Sequence, residues 1–321
     1  MKILVTGATG FIGAAVGQRL LQKGHEVLAL SRSEAAAAKL RAAGLTPVAG
    51  DFAVPTGLTT LAAEVDAIVS TASIGQVEGT PDSFAKDRDA VAALTKALGN
   101  SGKPLIFTSG SAIFGVFTKG EASPTIFDED HHAPHASVFA PPQAEVPPPF
   151  VDAFGGAMAP RAETEGAVLK AAGVRGIVIR PGLVYGDGKG YDLPNLIALA
   201  RKHGVAPQLG AGDVRQGYVH IDDLVDLYVL ALEGAPAGTM LHAVTDEIAM
   251  GDLAVSVSRL VGAGGRTEAL SLMEMYARGG GGGVSLSLNK RLASQKTRAI
   301  LGWAPTRHDI LKDVEGGSYA V

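Results

Sequence analysis

Three glycines near the amino terminus, Gly7, Gly10 and Gly13, stand where a short apolar run at residues 2–6 gives way to helical spacing at residues 11–22. That pattern suits a backbone that must bend sharply and let an anion come close. One glycine permits the turn, a second lets the main chain approach a pyrophosphate, and the third lets helix and strand pack together. The phosphates would rest on free N–H groups at the helix start, with Thr9, Gly10, Phe11 and Ile12 around them. A tight turn without a ligand is the competing reading, since a bare triplet in a chain with 42 glycines says little. The strand–turn–helix setting and the strand that follows favour the ligand. That second strand ends in Leu30, Ser31, Arg32 and Ser33. A site for NAD(H) places Asp or Glu near this tip to hold the ribose 2′-hydroxyl. Ser31 stands there instead, and Arg32 offers a planar fork of donors for a 2′-phosphate. The expected cofactor is therefore NADP(H) rather than NAD(H), against the blander reading of Arg32 as a solvated surface charge.

Strand-like runs at 25–30, 46–49, 67–71, 105–108 and 176–180 alternate with helical segments at 35–43, 83–98 and 161–172. Such alternation predicts an α/β fold, a Rossmann-type doubly wound parallel sheet with right-handed crossovers and helices on both faces. A helix with an acidic start follows at 222–232, which suits the helix dipole. Residues 121–160 break the rhythm with His131, His132, His135 and clustered prolines. A loop of that length is expected to be functional or mobile. The tail from Met250 is less regular, and the five consecutive glycines at 279–283 are expected to form a flexible loop.

Composition narrows the partners. A net charge of −4 gives no basic field for nucleic acid. The absence of cysteine removes disulfides and thiolate metal sites. No run approaches the apolar length of a membrane span, and the opening residues run straight into a strand, so neither membrane nor signal peptide is expected and the location is cytoplasmic by default. With 321 residues, 46% of them hydrophobic, the chain can bury a large core.

Several stretches together resemble the extended and atypical short-chain dehydrogenase/reductase superfamily, the group that contains NAD-dependent epimerases and dehydratases. Residues 6–13, TGATGFIG, are its cofactor turn almost letter for letter. Asp51 and Phe52 resemble its pair near the adenine, and Thr71, Ala72 and Ser73 its small-residue strand end beside the cofactor. Residues 108–115 (TSGSAIFG) are similar to its serine-bearing strand end, 180–186 (RPGLVYG) to its RPxxVYG element, 219–224 (VHIDDL) to its VHxxDL element, and 301–305 (LGWAP) to its last turn. The resemblance implies a cofactor domain at 1–182, to which 216–245 returns, and a smaller, discontinuous C-terminal substrate domain at 183–215 and 246–321. It also implies cofactor contacts from Thr108, Arg161, Pro181, Gly182 and Val184, a small-molecule substrate, and a homodimer through a helix pair, although no such face is identified here.

In the usual member Ser, Tyr and Lys act on the substrate oxygen. The Tyr-x-x-x-Lys catalytic pair is missing from its place before the helix: Ala157 occupies the tyrosine position and Arg161 the lysine position, and Gly110 occupies that of the serine. Arg161 keeps a charge there, able to orient a carboxylate or polarise a carbonyl, but it does not give up a proton. Thr108, Ser109 and Ser111 could donate hydrogen bonds to a substrate oxygen or simply bond backbone. His131 could deliver a proton, as could its neighbours His132 and His135. His-His-x-x-His on a proline-flanked loop lacks the fixed geometry of a zinc site, so no metal is expected. Tyr191 could line the substrate cleft; Tyr185, His220 and Asp222 read as structural. The function expected is an NADP(H)-dependent reductase of a small carbonyl or activated double bond. The alternatives are a nucleotide-sugar epimerase or dehydratase and a non-catalytic NADP(H) sensor or scaffold.

Overall fold

In a computed structural model, residues 1–131 and 158–320 are described. The amino-terminal half alternates as expected: β1 (Lys2–Thr6), α1 (Phe11–Gln22), β2 (Glu26–Ser31), α2 (Glu34–Ala42), β3 (Thr46–Ala49), α3 (Pro55–Ala63), β4 (Ala67–Ser70), a single turn α4 (Gly75–Glu78), α5 (Pro81–Leu98) and β5 (Pro104–Thr108). Then come α6 (Ala159–Leu169), β6 (Arg175–Pro181), β7 (Leu183–Gly186), β8 (Lys189–Gly190), α7 (Asp192–His203), β9 (Ala206–Leu209), β10 (Arg215–His220), α8 (Ile221–Gly234) and β11 (Thr239–Ala243). The chain closes with β12 (Asp246–Ala249), α9 (Met250–Leu260), β13 (Thr267–Leu270), α10 (Leu272–Leu286), α11 (Gln295–Leu301) and α12 (Ile310–Gly316).

Seven strands form one sheet in the order β11-β6-β5-β4-β1-β2-β3, every pair parallel. Ile3, Leu4 and Val5 are all fully buried, as a strand covered on both faces requires. Helix α1 packs against α8 on one face, while α3, α5 and α6 pack together on the other. The order reverses direction at β1, between β4 and β2, and that switch point is where an open α/β sheet leaves a crevice beyond its strand ends.

A second sheet, β12-β10-β7-β8, and the parallel pair β13-β9 enclose a separate core of Leu193, Leu196, Leu253, Val257 and Val284. Here the structure corrects the sequence reading. The tail from Met250 is regular, with four helices, and the glycine run is no flexible loop. Residues 279–283 lie inside α10, broken only at Gly280, whose φ of 55° and ψ of −140° bend the helix. The bend brings Gly283 so close to the first half that a Cβ would lie 2.1 Å from the Met275 carbonyl oxygen, and a Cβ at Gly279 would press on Leu199 of α7 at 3.0 Å. Tertiary packing has overruled the poor helix propensity of glycine.

The described start of the long connection is also anchored. Val116 exchanges backbone hydrogen bonds with Asn289 (both 2.9 Å), and Phe127 pairs likewise with Arg291 and Ala293. Residues 132–157, including His132, His135 and Ala157, lie outside the described residues.

Candidate functional site

The glycine turn separates two kinds of need. At Gly7 (φ +74°) a Cβ would meet the Ala72 backbone nitrogen at 2.7 Å and Thr71 Oγ1 at 2.8 Å, and at Gly13 it would lie 2.3 Å from the Gly7 carbonyl oxygen. Both are demanded by the fold itself. Gly10 is different: it is exposed, its φ of −88° suits any residue, and a Cβ would have a single contact of 3.3 Å. Gly10, whose own N–H donates to the Gly7 carbonyl (2.9 Å), heads α1 with no capping side chain and no acidic residue in the first turn, so among the described residues the N–H groups of that turn stay open to an anion. Thr9 is exposed beside it, while Phe11 and Ile12 are half-buried against the core.

Beside this turn, Thr71 donates through Oγ1 to the Thr6 carbonyl (2.7 Å), which ties the end of β4 to β1. Ser31 donates to the Ser33 carbonyl (2.9 Å), and Ser33 caps α2 by accepting from the Ala36 N–H. Both hydroxyls at the β2 tip are thus engaged, while Arg32 is exposed and held by no ion pair among the described residues. Asp51 accepts from the Ala53 N–H (2.9 Å), shaping its own turn. Phe52 is buried in the core with Leu30 and Leu58. Gly182 is fixed internally, since a Cβ would lie 2.3 Å from the Gly217 carbonyl oxygen. Pro181 ends β6, and Val184 pairs with Val219 across the smaller sheet.

One strand further along, at the ends of β4 and β5, the structure gathers Arg161, Ser73 and Asp87, with Gly110 beside them. Arg161, in the first turn of α6, is buried and stacks over the Phe84 ring at 5.0 Å. Its Nη2 donates to Ser73 Oγ at 2.9 Å, and Ser73 in turn donates to Asp87 Oδ2 at 2.6 Å. Asp87 also accepts from the backbone N–H groups of Ile74 (2.6 Å) and Gly75 (3.1 Å). Burial pushes the Asp87 carboxyl up from its usual range, against these hydrogen bonds and the Arg161 charge. Burial likewise pulls Arg161 down, with Asp87 and Glu165 opposing it. The other edge of the guanidinium faces Gly110, where a Cβ would sit 3.6 Å from Nη1. Ser109, next in the chain, is buried, and its Oγ has no partner among the described residues.

The remaining candidates fall elsewhere. The Thr108 hydroxyl is paired with the buried Tyr228 hydroxyl of α8 at 2.6 Å. Ser111 is buried at the start of a 3-10 turn, Ser111–Phe114. His131 pairs through Nδ1 with Asp128 (2.7 Å), and its carbonyl accepts from Arg180 (3.0 Å). Arg180 is itself buried, in a two-pronged pair with Glu165 (2.6 and 2.9 Å), and meets His242 Nε2 at 3.2 Å. His242 also pairs with the Ala293 carbonyl (2.9 Å), and burial lowers its pKa to about 3. Tyr191 precedes α7 and is 46% exposed. No contact joins His131 or Tyr191 to the Arg161 group among the described residues. His220 caps α8 by accepting from the Asp222 N–H (3.1 Å).

The chain does hold one Tyr-x-x-x-Lys spacing, Tyr185 to Lys189. Its two residues lie on the antiparallel strands β7 and β8 rather than on one helix. Tyr185 is buried against Tyr218 and His220, its hydroxyl 3.5 Å from the Arg307 carbonyl, whereas Lys189 is exposed, so the pair shares no site. Asp87 escaped the sequence reading, yet a signal exists. It falls on the helical stripe of Phe84, Val91 and Leu94, where an acid needs a partner.

Among the described residues no helix is long and apolar enough to cross a membrane, and no group of His, Cys, Asp and Glu could hold a metal. The sequence model of the NAD dependent epimerase/dehydratase family matches residues 3–140. The chain is 32% identical to an uncharacterized protein of Schizosaccharomyces pombe over 99% of its own length and 100% of the relative's. It is 29% identical to 2-alkyl-3-oxoalkanoate reductase of Stenotrophomonas maltophilia, covering 74% of this chain and 67% of that one. In fold it is similar to a dTDP-glucose 4,6-dehydratase of Streptomyces venezuelae solved with NAD bound: TM-score 0.73, 20% identity, 99% of this chain and 96% of that chain covered.

Proposed function

Because the chain belongs to the NAD dependent epimerase/dehydratase family, we propose that it works as an NADP(H)-dependent reductase of a small carbonyl or activated double-bond substrate. Membership makes it an NAD(P)-dependent oxidoreductase of the short-chain dehydrogenase/reductase type. The 2′-phosphate, the direction of reaction and the substrate are the proposal. The observation that carries it is Gly10, a glycine that its own fold barely requires, open at the head of an uncapped helix. Space left free there suits a pyrophosphate.

Arg32, exposed at the β2 tip, supports a 2′-phosphate in place of a ribose hydroxyl bound by a carboxylate. When bound, the cofactor supplies the hydride. Arg161 would orient the substrate, Ser109 would donate a hydrogen bond to its carbonyl oxygen, and water would deliver the proton. We place the cofactor on residues 1–182 and 216–245, and the substrate against 183–215 and 246–321. The reductase named among the relatives favours reduction over epimerisation. Titrating the purified protein with NADPH and NADH, then following NADPH absorbance with carbonyl substrates, tests the reading. NADPH must bind more tightly and be consumed. Binding without consumption would indicate a sensor, and turnover with the total cofactor unchanged would indicate an epimerase.

A further inference from the structure

Arg161 presents an electrostatic imbalance. A guanidinium carries five N–H donors and a permanent charge, and burying such a group is costly unless an anion or several acceptors meet it. Arg161 is buried, yet among the described residues no carboxylate lies within ion-pair distance of it. Of the two acids whose charges reach it, Glu165 is already paired with Arg180 and Asp87 is met through the Ser73 hydroxyl. That hydroxyl is fully used, donating to Asp87 and accepting from Arg161 and from the Gln76 N–H (3.0 Å). One edge of the fork is therefore fixed by protein, and the other faces Gly110.

We infer that this second edge of Arg161, beside Gly110, seats a carboxylate carried by the substrate, and that Asp87 is a positioning residue acting through Ser73. The inference rests on the reductase reading for the substrate's carbonyl, and it narrows the substrate class to oxo acids. Three features fit a carboxylate. The guanidinium offers two parallel donors for two oxygens. The stack on Phe84 fixes its plane. Gly110, fully extended at φ 175°, leaves the position beside Nη1 without a side chain, where among the described residues a Cβ would meet only that nitrogen, although its backbone would accept any residue. The position, one strand beyond the glycine turn, puts the seat toward the reacting end of a dinucleotide laid across the switch point.

The test is a calorimetric titration of the NADPH-loaded full-length protein with 3-oxohexanoate and with its methyl ester. The acid is expected to bind at least about ten-fold more tightly than the ester, the scale of one charge-assisted pair. Arg161→Met should bring the ratio to unity without a matching loss of NADPH affinity, and Asp87→Asn should lower it while leaving ester affinity in place. Gly110→Ser, which leaves the buried charge intact, should weaken the acid alone and so serves if Arg161→Met fails to fold. Equal binding of acid and ester to the unaltered protein, or no binding of the acid, overturns the inference. So does a fall in NADPH affinity that parallels the loss of acid binding in Arg161→Met, because the guanidinium would then serve the cofactor. Tight binding of the acid without NADPH oxidation supports the carboxylate seat and defeats the reductase reading instead.

Discussion

Two glycine-rich regions in this molecule look alike in composition and differ in purpose. At the amino terminus, Gly7 and Gly13 are required by neighbouring backbone on several sides, while a Cβ at Gly10 would meet a single atom, the Gly7 carbonyl oxygen at 3.3 Å. In α10, Gly279 and Gly283 are packed against Leu199 and Met275, and the glycines there let a bent helix close on itself and on α7. The lesson is that glycine count does not report ligand binding. What a Cβ would strike decides: close protein atoms on several sides imply packing, and a position with one marginal contact at a helix start suits a guest.

The largest effect that could break this contrast is Gly10→Val, expected to weaken NADPH binding by at least about 100-fold while lowering the unfolding midpoint far less than Gly283→Ala does. Intact affinity in a fluorescence titration would remove the distinction. Gly283→Ala should do the reverse, with cofactor affinity retained by the folded fraction but about 3 kcal/mol lost in urea unfolding through overpacking. An unaltered midpoint would show that the bend at Gly280 is not required.

A third probe joins the two regions. His242 belongs to the large sheet and bonds Ala293, just beyond α10. Its folded pKa of about 3 lies below the ordinary 6.5, so its contribution is complete above pH 6.5 and is lost as pH falls toward 3. Unfolding free energy should decline by up to about 1.4 kcal/mol per pH unit across that window, and His242→Gln should flatten the slope. An unchanged slope would exclude this histidine as its source. The smallest effect expected is for Arg32→Ala, which should reduce NADPH affinity about ten-fold and leave NADH untouched. Equal losses for both cofactors would make Arg32 a general contact rather than a phosphate reader.

The comparison also marks what the sequence makes legible. Strand β1 and helix α1 can be bounded to the residue, because a fully buried apolar run and a helical stripe flank the glycine turn. Helix α3 is hidden, since PTGLTTLAA mixes proline, glycine and threonine and gains its helicity from packing on α5. The glycines of α10 mislead for the same reason: local propensity is silent about a carbonyl eight residues back. Within the site, Arg161 is visible as the first residue of a Lys-x-x-x-Glu-like pattern ending at Glu165, whereas its dependence on Asp87 is not. That link runs from α5 through a strand-end serine to α6, a path that exists only once the three elements are assembled.

The pairing of residues 116–127 with 289–293 has a consequence for synthesis. A ribosome releases the large sheet's first five strands long before Asn289 appears, yet Val116 and Phe127 find their backbone partners only in that late segment. Contacts of such sequence separation form slowly and leave strand edges unpaired meanwhile. The backbone groups of Val116 and Phe127 must therefore wait, unpaired, until the last tenth of the chain emerges to clasp them. A chain cut short before residue 289 would carry every glycine of the cofactor turn and still be unable to close that clasp.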